Sequence, residues 1–336
     1  MQAKVYTSGD ELPSGLREGN FFHSAKLFHI CRNTPRHRPY MVTLEEADGT
    51  VVAQMLAVVR YRSSWLPPYY YMHCRIMGEG CYAPAAPKPE TESEEPETTV
   101  QAQHFGMMMT TLTKHLGSRM LYIELSHLSH KMFGYRELRQ LRYFPVKWMS
   151  IHNSLHSRTP EERIGKRLKK RIDSAYERGA TTDEVHSEEE FKEFMQLLRH
   201  HNWLKPKRYI PHDDFFHQLY EQPECGRLFL TRYKGKVVGC SAVVYSNGQA
   251  YLWFAAYRRK SYVMVHPREL TIWHAIKDSH SSGYEHIFFM DVGLPFRKNK
   301  FRDFILLFGG KPVNTFRWFR FSIKWLNSLL SWIYRY

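Results

Sequence analysis

The sequence predicts a mixed α+β protein in two similar halves, each a mostly antiparallel sheet flanked by helices. Three observations in the chain point there. First, residues 228–232, 236–245 and 249–257 are apolar, β-branched runs separated at Lys234-Gly235-Lys236 and Ser246-Asn247-Gly248-Gln249. Lys-Gly and Asn-Gly breaks supply the positive φ angles of tight hairpins, so these runs form a three-stranded meander. Second, a helix should cover residues 266–282, with Pro267 in its first turn, Leu270, Trp273, His274, Ile276 and Lys277 at helical spacing, and Gly283 where it stops. The short apolar run HIFFMDV then gives a buried strand ending at Asp291. Third, the same order of meander, helix and strand precedes it in residues 40–125.

Taken in order, residues 20–32 place Phe21, Phe22, Ala25, Leu27, Phe28 and Cys31 on a broad apolar face, a helix packed on a sheet, ended by Pro35 and Pro39. Residues 40–46 and 51–61 form a hairpin around Asp48-Gly49, and 69–77 is a third, aromatic strand. The segment 83–99 has four prolines, five glutamates and almost nothing to bury, and is expected to be a mobile loop. Helix 100–116 carries Phe105, Met108, Met109 and Leu112 as core, strand 120–125 follows, and 146–155 is expected to close the first sheet. A second domain opens with a helix whose apolar stripe is Ile164, Leu168, Ile172, Ala175 and Tyr176 and whose opposite side is Arg163, Lys166, Arg167, Lys170 and Arg171. With no acid between 163 and 171, this ridge is a candidate anion-binding face for tRNA, a nucleotide-linked substrate or a lipid headgroup. Residues 188–200 and 215–220 are further helices, and WLKPKRYI (203–210) is a loop of interleaved aromatic and basic residues.

These elements divide the 336 residues into a first domain (1–157), a second (158–316) and an amphipathic helix (317–336). The last segment sets Trp318, Phe321, Trp325, Leu329, Trp332 and Ile333 near helical spacing with Arg320, Lys324 and Arg335 between them. It is too short and charged to span a bilayer. Two readings stand open: a helix lying on an anionic membrane, or a last helix packed on the sheet. The net charge of +15 is concentrated from residue 297 onward, with nine basic residues against Asp303 alone. Five cysteines without a paired or metal-ligand spacing favour a reducing compartment, and the N-terminus lacks the apolar core of a secretory signal. The expectation is a cytoplasmic protein, with the inner face of the plasma membrane as a place for its basic tail.

AYLWFAAY (250–257), HPRELTIWHAI (266–276), SSGY (281–284), MDVG (290–293) and FILLFGG (304–310), preceded by RIGKRLKKRIDSAYERGA (163–180), come in a fixed order. That order resembles the GNAT-type N-acetyltransferase fold and, in detail, the Fem-type peptidyltransferases. The resemblance implies two GNAT-like domains and an acyltransferase moving an acyl or aminoacyl group onto an amine of a cell-envelope or sugar/peptide precursor. Acyl-CoA or aminoacyl-tRNA would be the donor, with no metal. Asp291 matches the acid of the family's D-x-G, where a carboxylate serves as base or caps the following turn, and His266, before Pro267, is a weaker catalytic candidate in a chain with 19 histidines. Tyr251, Trp253, Tyr257, Arg258, Arg259, Arg268, Lys300 and Arg302 are the implied substrate-binding residues. Two departures matter. RRKSYVMVHPRE (258–269) has no glycine where acetyltransferases cradle a pyrophosphate on backbone N–H groups, so Arg258, Arg259, Lys260 and Arg268 would hold an anionic donor through side chains. The lysine of the family's F-K-x-x-F-G motif is Ile305 here, between Phe304 and Phe308-Gly309. The rival reading is a catalytically silent protein of this fold that binds anionic membrane or nucleic acid.

Overall fold

The computed structural model describes residues 1–64, 68–83, 97–126, 133–202, 209–258, 262–290 and 292–334. It divides into two compact units, Met1–Trp148 with Asn314–Tyr336, and Met149–Val313. The sequence reading sets these limits at 157 and 316.

The first unit opens with β1 (Gln2–Tyr6), a polar strand that the sequence reading does not include and that pairs antiparallel with β2 (His37–Glu45). The helix expected from residue 20 is built in two steps. Asn20 Oδ1 accepts the Phe22 N–H and closes a tight turn at Phe21–His23, then Ser24 Oγ accepts the Leu27 N–H and starts α1 (Ala25–Arg32). The strands β3 (Val51–Ser64) and β4 (Tyr69–Met77) complete the meander, and the two-residue β5 (Cys81–Tyr82) folds back on β3. Most of the segment expected to be a mobile loop, 84–96, lies outside the described residues. The chain continues as α2 (Glu97–Leu116), β6 (Tyr122–Ser126), which is parallel to β4, and the short α3 (Tyr135–Gln140). Phe105, Met108, Met109 and Leu112 of α2 are buried against Val42, Ala57, Val59 and Ile76, as core.

The strand β7 (Phe144–Ser154) was expected to close the first sheet; instead its residues 151–154 pair with β12 (His286–Phe289) in the second unit. The basic helix expected from residue 163 is two helices, α4 (Pro160–Arg163) and α5 (Lys166–Glu177), because Ile164 is extended (ψ 142°) and Gly165 caps α5. Leu168, Ile172 and Ala175 are buried, whereas Tyr176, placed on the same stripe by the sequence, is exposed. There follow β8 (Ala180–Glu184), α6 (Glu188–Asn202), α7 (Asp213–Tyr220), β9 (Gly226–Tyr233), β10 (Lys236–Ser246), β11 (Gln249–Tyr257), α8 (Pro267–Ser281) and α9 (Lys300–Ile305). The sheet of this unit runs β7-β12-β11-β10-β9-β8, antiparallel except for β11 and β12.

Helix α8 is the centre of the second core: Leu270, Ile272, Ala275 and Ile276 are essentially solvent-free among residues of β9, β11, β12 and α5. Its approach to the sheet is close. A β-carbon at Gly239 of β10 would lie 2.0 Å from Thr271 Oγ1, which itself donates to the Pro267 carbonyl and meets Thr231 Oγ1 at 3.1 Å. Only glycine lets the helix seat there. At the far end Asp278 accepts from Arg227 and from the Tyr245 hydroxyl, each at 3.0 Å, and burial first, then this carboxylate, pushes the Tyr245 phenol up.

The last elements are β13 (Lys311–Phe321) and α10 (Lys324–Ile333). The sequence expectation of one helix over 317–336 is corrected: Trp318 and Phe321 belong to a strand, paired with Leu125 and Tyr122 of β6. The open backbone edge of β6 takes residues 317–321 as an antiparallel ladder, and Arg317 reaches Glu124 at 3.1 Å, with Arg75 at 3.8 Å from the same oxygen. An ion cluster this shielded persists because each charge has a partner.

Candidate functional site

The second unit contains an opening that its strand registers create. Ala242 pairs with Phe254 while Val243 pairs with Leu252, so Trp253 is an extra residue in β11, a β-bulge. A bulge bends its strand and raises the local twist. Four pairs, from Gln249↔His286 to Leu252↔Phe289, join β11 to β12, and pairing stops at the bulge. Past it, β11 stays with β10 up to Gly239↔Tyr257, while the chain after β12 stays with β7, the Met149 N–H donating to the Gly293 carbonyl at 3.2 Å. The two parallel strands therefore part at their carboxyl ends, the place where open α/β sheets receive ligands.

A cleft of about 360 Å³ lies past the bulge, at the end of β11 and the N-termini of α8 and α9, lined by Tyr257, Arg258, His266, Arg268, Glu269 and Lys300 among others. Arg258 also lines a second hollow of about 470 Å³, with Glu193, Gln196, His200, Lys236 and Tyr262. The first cleft carries three permanent cations against one carboxylate, and Glu269 is shared with Arg171 (3.6 Å) and His266 (3.8 Å). Backbone donors are scarce. His266 N–H is directed at the Val263 carbonyl, Pro267 has no N–H, and the N–H groups of Glu269 and Leu270 both go to the His266 carbonyl. With Pro267 lacking an N–H and the His266 and Glu269 donors so used, this terminus is a poor cradle for a pyrophosphate. His266 achieves this closure at φ +48°, ψ 52°, a left-handed conformation immediately before proline, where sterics disfavour it. Strain of that kind gathers at functional sites.

Of the residues singled out from sequence, Tyr257, Arg258, His266, Arg268 and Lys300 come together in this cleft. Arg258 is exposed and its Nε donates to the Val237 carbonyl; Arg268 lies 3.4 Å over the Phe304 ring and donates to the Lys300 carbonyl. Tyr251 and Trp253 are not in the lining: Tyr251 stacks on Phe288 at 5.1 Å and Trp253 meets the Phe215 ring edge-on at 5.4 Å, so Trp253 acts by bending the strand. Arg302 donates to the carbonyls of Leu294 and Arg297 and holds the turn after β12, whose Gly293 (φ +86°) passes against Asn299. Asp291, Arg259 and Lys260 lie outside the described residues, as do residues 203–208 of the aromatic and basic loop. On the basic ridge Lys166, Arg167 and Lys170 are exposed, whereas Arg163 donates to Ser157 Oγ and Arg171 faces Glu269. Ile305 is wholly buried in the core of the second unit. Glu269 and Phe301 line the cleft without having been singled out; the only signal for Glu269 was an acid in the first turn of a helix. Among the described residues no group of His, Cys, Asp and Glu is placed to hold a metal ion.

Residues 163–297 match the family model described as an acetyltransferase (GNAT) domain. No curated protein matches the chain. Among solved structures it is similar to FemX, with 10% identity, a TM-score of 0.64, and 98% of this chain and 100% of that one covered. It is similar to the C-terminal domain of a putative lysylphosphatidylglycerol synthetase from Agrobacterium fabrum (9% identity, TM-score 0.59, 94% and 93% covered). A tandem GNAT protein from the clavulanic acid biosynthesis pathway is a third likeness (9%, 0.52, 92% and 90%). The GNAT and Fem-type resemblance implied by the sequence is thus shown, and the fold is that of tandem GNAT-like proteins.

Proposed function

We propose that the chain is an acyltransferase that moves an acyl or aminoacyl group onto an amine, with the parting of β11 from β12 as its reaction cleft. The observation that carries this reading is the bulge at Trp253, which ends the parallel pairing next to a cationic cleft. In the reaction the amine nitrogen attacks the donor's carbonyl carbon. The tetrahedral intermediate then expels a thiolate or a ribose oxygen, and the amine proton passes to a base. Asp291 follows β12 by two residues and is assigned as that base, with His266 at the cleft as the second candidate. The donor's phosphates would meet the side chains of Arg258, Arg268 and Lys300 rather than backbone N–H groups. Acyl-CoA bound by side chains and aminoacyl-tRNA both suit this, the latter with the exposed Lys166, Arg167 and Lys170 on α5, whose Arg171 faces Glu269 of the cleft at 3.6 Å. The acceptor amine, of a cell-envelope or sugar/peptide precursor in the cytoplasm, would enter by the hollow that shares Arg258.

A second reading, a silent binding protein, is favoured by Ile305, whose buried apolar side chain stands where Fem-type proteins carry a lysine. Thermal-shift titration with acetyl-CoA, a long-chain acyl-CoA and aminoacyl-tRNA separates the two. A donor present at a hundred times its Kd should stabilise the fold by about 2.7 kcal/mol, and Arg258→Ala/Arg268→Ala should abolish that shift. Transfer of labelled acyl group to an amine, lost in Asp291→Asn, supports the enzyme. Stabilisation with no transfer to any amine supports the silent protein, and no stabilisation by any donor removes the cleft as donor site.

A further inference from the structure

Helix α10 is amphipathic the wrong way round for a helix that covers a core. Asn327, buried, ties it to the rest of the first unit: its side chain donates to the Arg142 carbonyl at 3.0 Å and accepts the Phe321 N–H at 2.8 Å. Behind it Tyr334 stacks on Phe144 at 6.2 Å and an interplanar angle of 11°. Trp325, Leu329, Trp332 and Ile333, which share the opposite face by the 3.6-residue period, are 68%, 45%, 65% and 49% exposed. A surface helix ordinarily turns its apolar stripe inward. Here Asn327 is the buried residue of the helix, with Leu326 and Leu330 half-buried on its side, and the larger apolar stripe faces out, at the expense of keeping two indoles in water.

The surroundings of that stripe say what covers it. Segments 118–122, 141–147 and 317–324, which hydrogen-bond to the helix, hold its turn or supply its ring contact, contain Arg119, Arg142, Lys147, Arg317, Arg320 and Lys324 and no Asp or Glu. Arg119, Arg142 and Lys324 are exposed, and residues 311–334 contain no acid at all. Arg317 is paired with Glu124, and the exposed cations that remain, Arg119, Arg142, Lys147 and Lys324, would meet their own kind across a two-fold contact with a second copy. The patch is complementary to anionic headgroups over an acyl layer, where tryptophan is favoured. At ten residues the helix is about 15 Å long, half of a bilayer core, so it lies in the interface and does not cross it. We propose that the outward face of α10 is a membrane-surface anchor, which lays its tryptophans into the headgroup layer of an anionic phospholipid bilayer. This rests on the helix alone and holds whether or not the cleft proves catalytic.

The test is flotation of the full chain with vesicles of phosphatidylcholine, with and without phosphatidylglycerol, for wild type, Trp325→Ser/Trp332→Ser and Leu329→Glu. Wild type should float with the phosphatidylglycerol vesicles, and each variant should bind roughly tenfold or more weakly. Because the replaced side chains are exposed, melting temperatures should match that of wild type; quenching of wild-type tryptophan fluorescence by bromolipid gives a readout free of any substitution. Wild type that stays with the lipid-free fraction, variants that float as well as wild type, or unquenched tryptophans would each overturn the proposal. So would concentration-dependent dimers, lost in the double variant, from a protein that ignores vesicles: the face would then belong to a second copy.

Discussion

The two units follow one path, strand to helix to parallel strand, yet join their parallel pairs at opposite ends. In the first unit β4 meets β3 pair by pair from Ile76↔Ala57 to Tyr69↔Ser64 with no slip. Its last residues, 73–77, are zipped to β6, and the ladder continues as Gly78 N–H to the Ser126 carbonyl at 2.8 Å. In the second unit the bulge at Trp253 interrupts β11, only 249–252 meet β12, and the carboxyl ends stand apart. One extra residue separates a closed sheet from one with a mouth. The lesson is that the half with the opening is marked by where its register breaks, since both halves have the helix and both have the parallel pair.

The comparison can be broken from several directions, beginning with the largest effect. Gly239→Val should push α8 away from β10 at Thr271 and cost about 3 kcal/mol or more, read as a fall in melting temperature. If the protein tolerates it unchanged, the close seating of α8 is not what shapes the cleft. The first unit should be the more acid-sensitive. Burial, and next the Arg60 charge, lowers His37 and His73 to about 3, and burial lowers His23 to about 4. These histidines stay neutral in the folded protein while the unfolded chain takes up protons below its ordinary value. Stability is therefore intact above pH ~6.5 and is lost as pH falls, by about 1.4 kcal/mol per pH unit for each histidine. Denaturant titrations at pH 7.5 and 5.5 measure this, and His73→Gln should flatten the slope; an equal slope in that variant would remove His73 from the account. The smallest effect concerns His266. Replacing it by glycine relieves the left-handed strain, so His266→Gly should change stability by no more than about 1 kcal/mol. Binding of the donor should nonetheless weaken, and unchanged affinity would make His266 a structural cap alone.

Much of this fold can be read from residues that act locally. Lys234-Gly235 and Asn247-Gly248 do carry positive φ at the two hairpin turns, and Pro267 and Gly283 do bracket α8. What failed to show was set by distant partners. The bulge lies in the unbroken run AYLWFAAY, with no glycine or proline to betray it, because the register of β11 is decided against β10. Trp318 and Phe321 fall three apart, as on a helix, but the edge of β6 claims them as strand, and the short strands β1 and β8 exist only through β2 and β9. At the site, the charges at 258, 268 and 300, singled out because a run of cations before a helix is chemically distinctive, do line one cleft. The helix start itself was legible only as lacking glycine; that the His266 carbonyl takes two N–H groups needs coordinates.

Amide hydrogen exchange of the full chain, with and without the donor that stabilises it, reads out where the parted strands take their ligand. New protection at 253–258 and 266–270, with 69–77 unchanged, is the result the splayed register requires. Protection confined to β4 and α2, or spread evenly over both units, would contradict it.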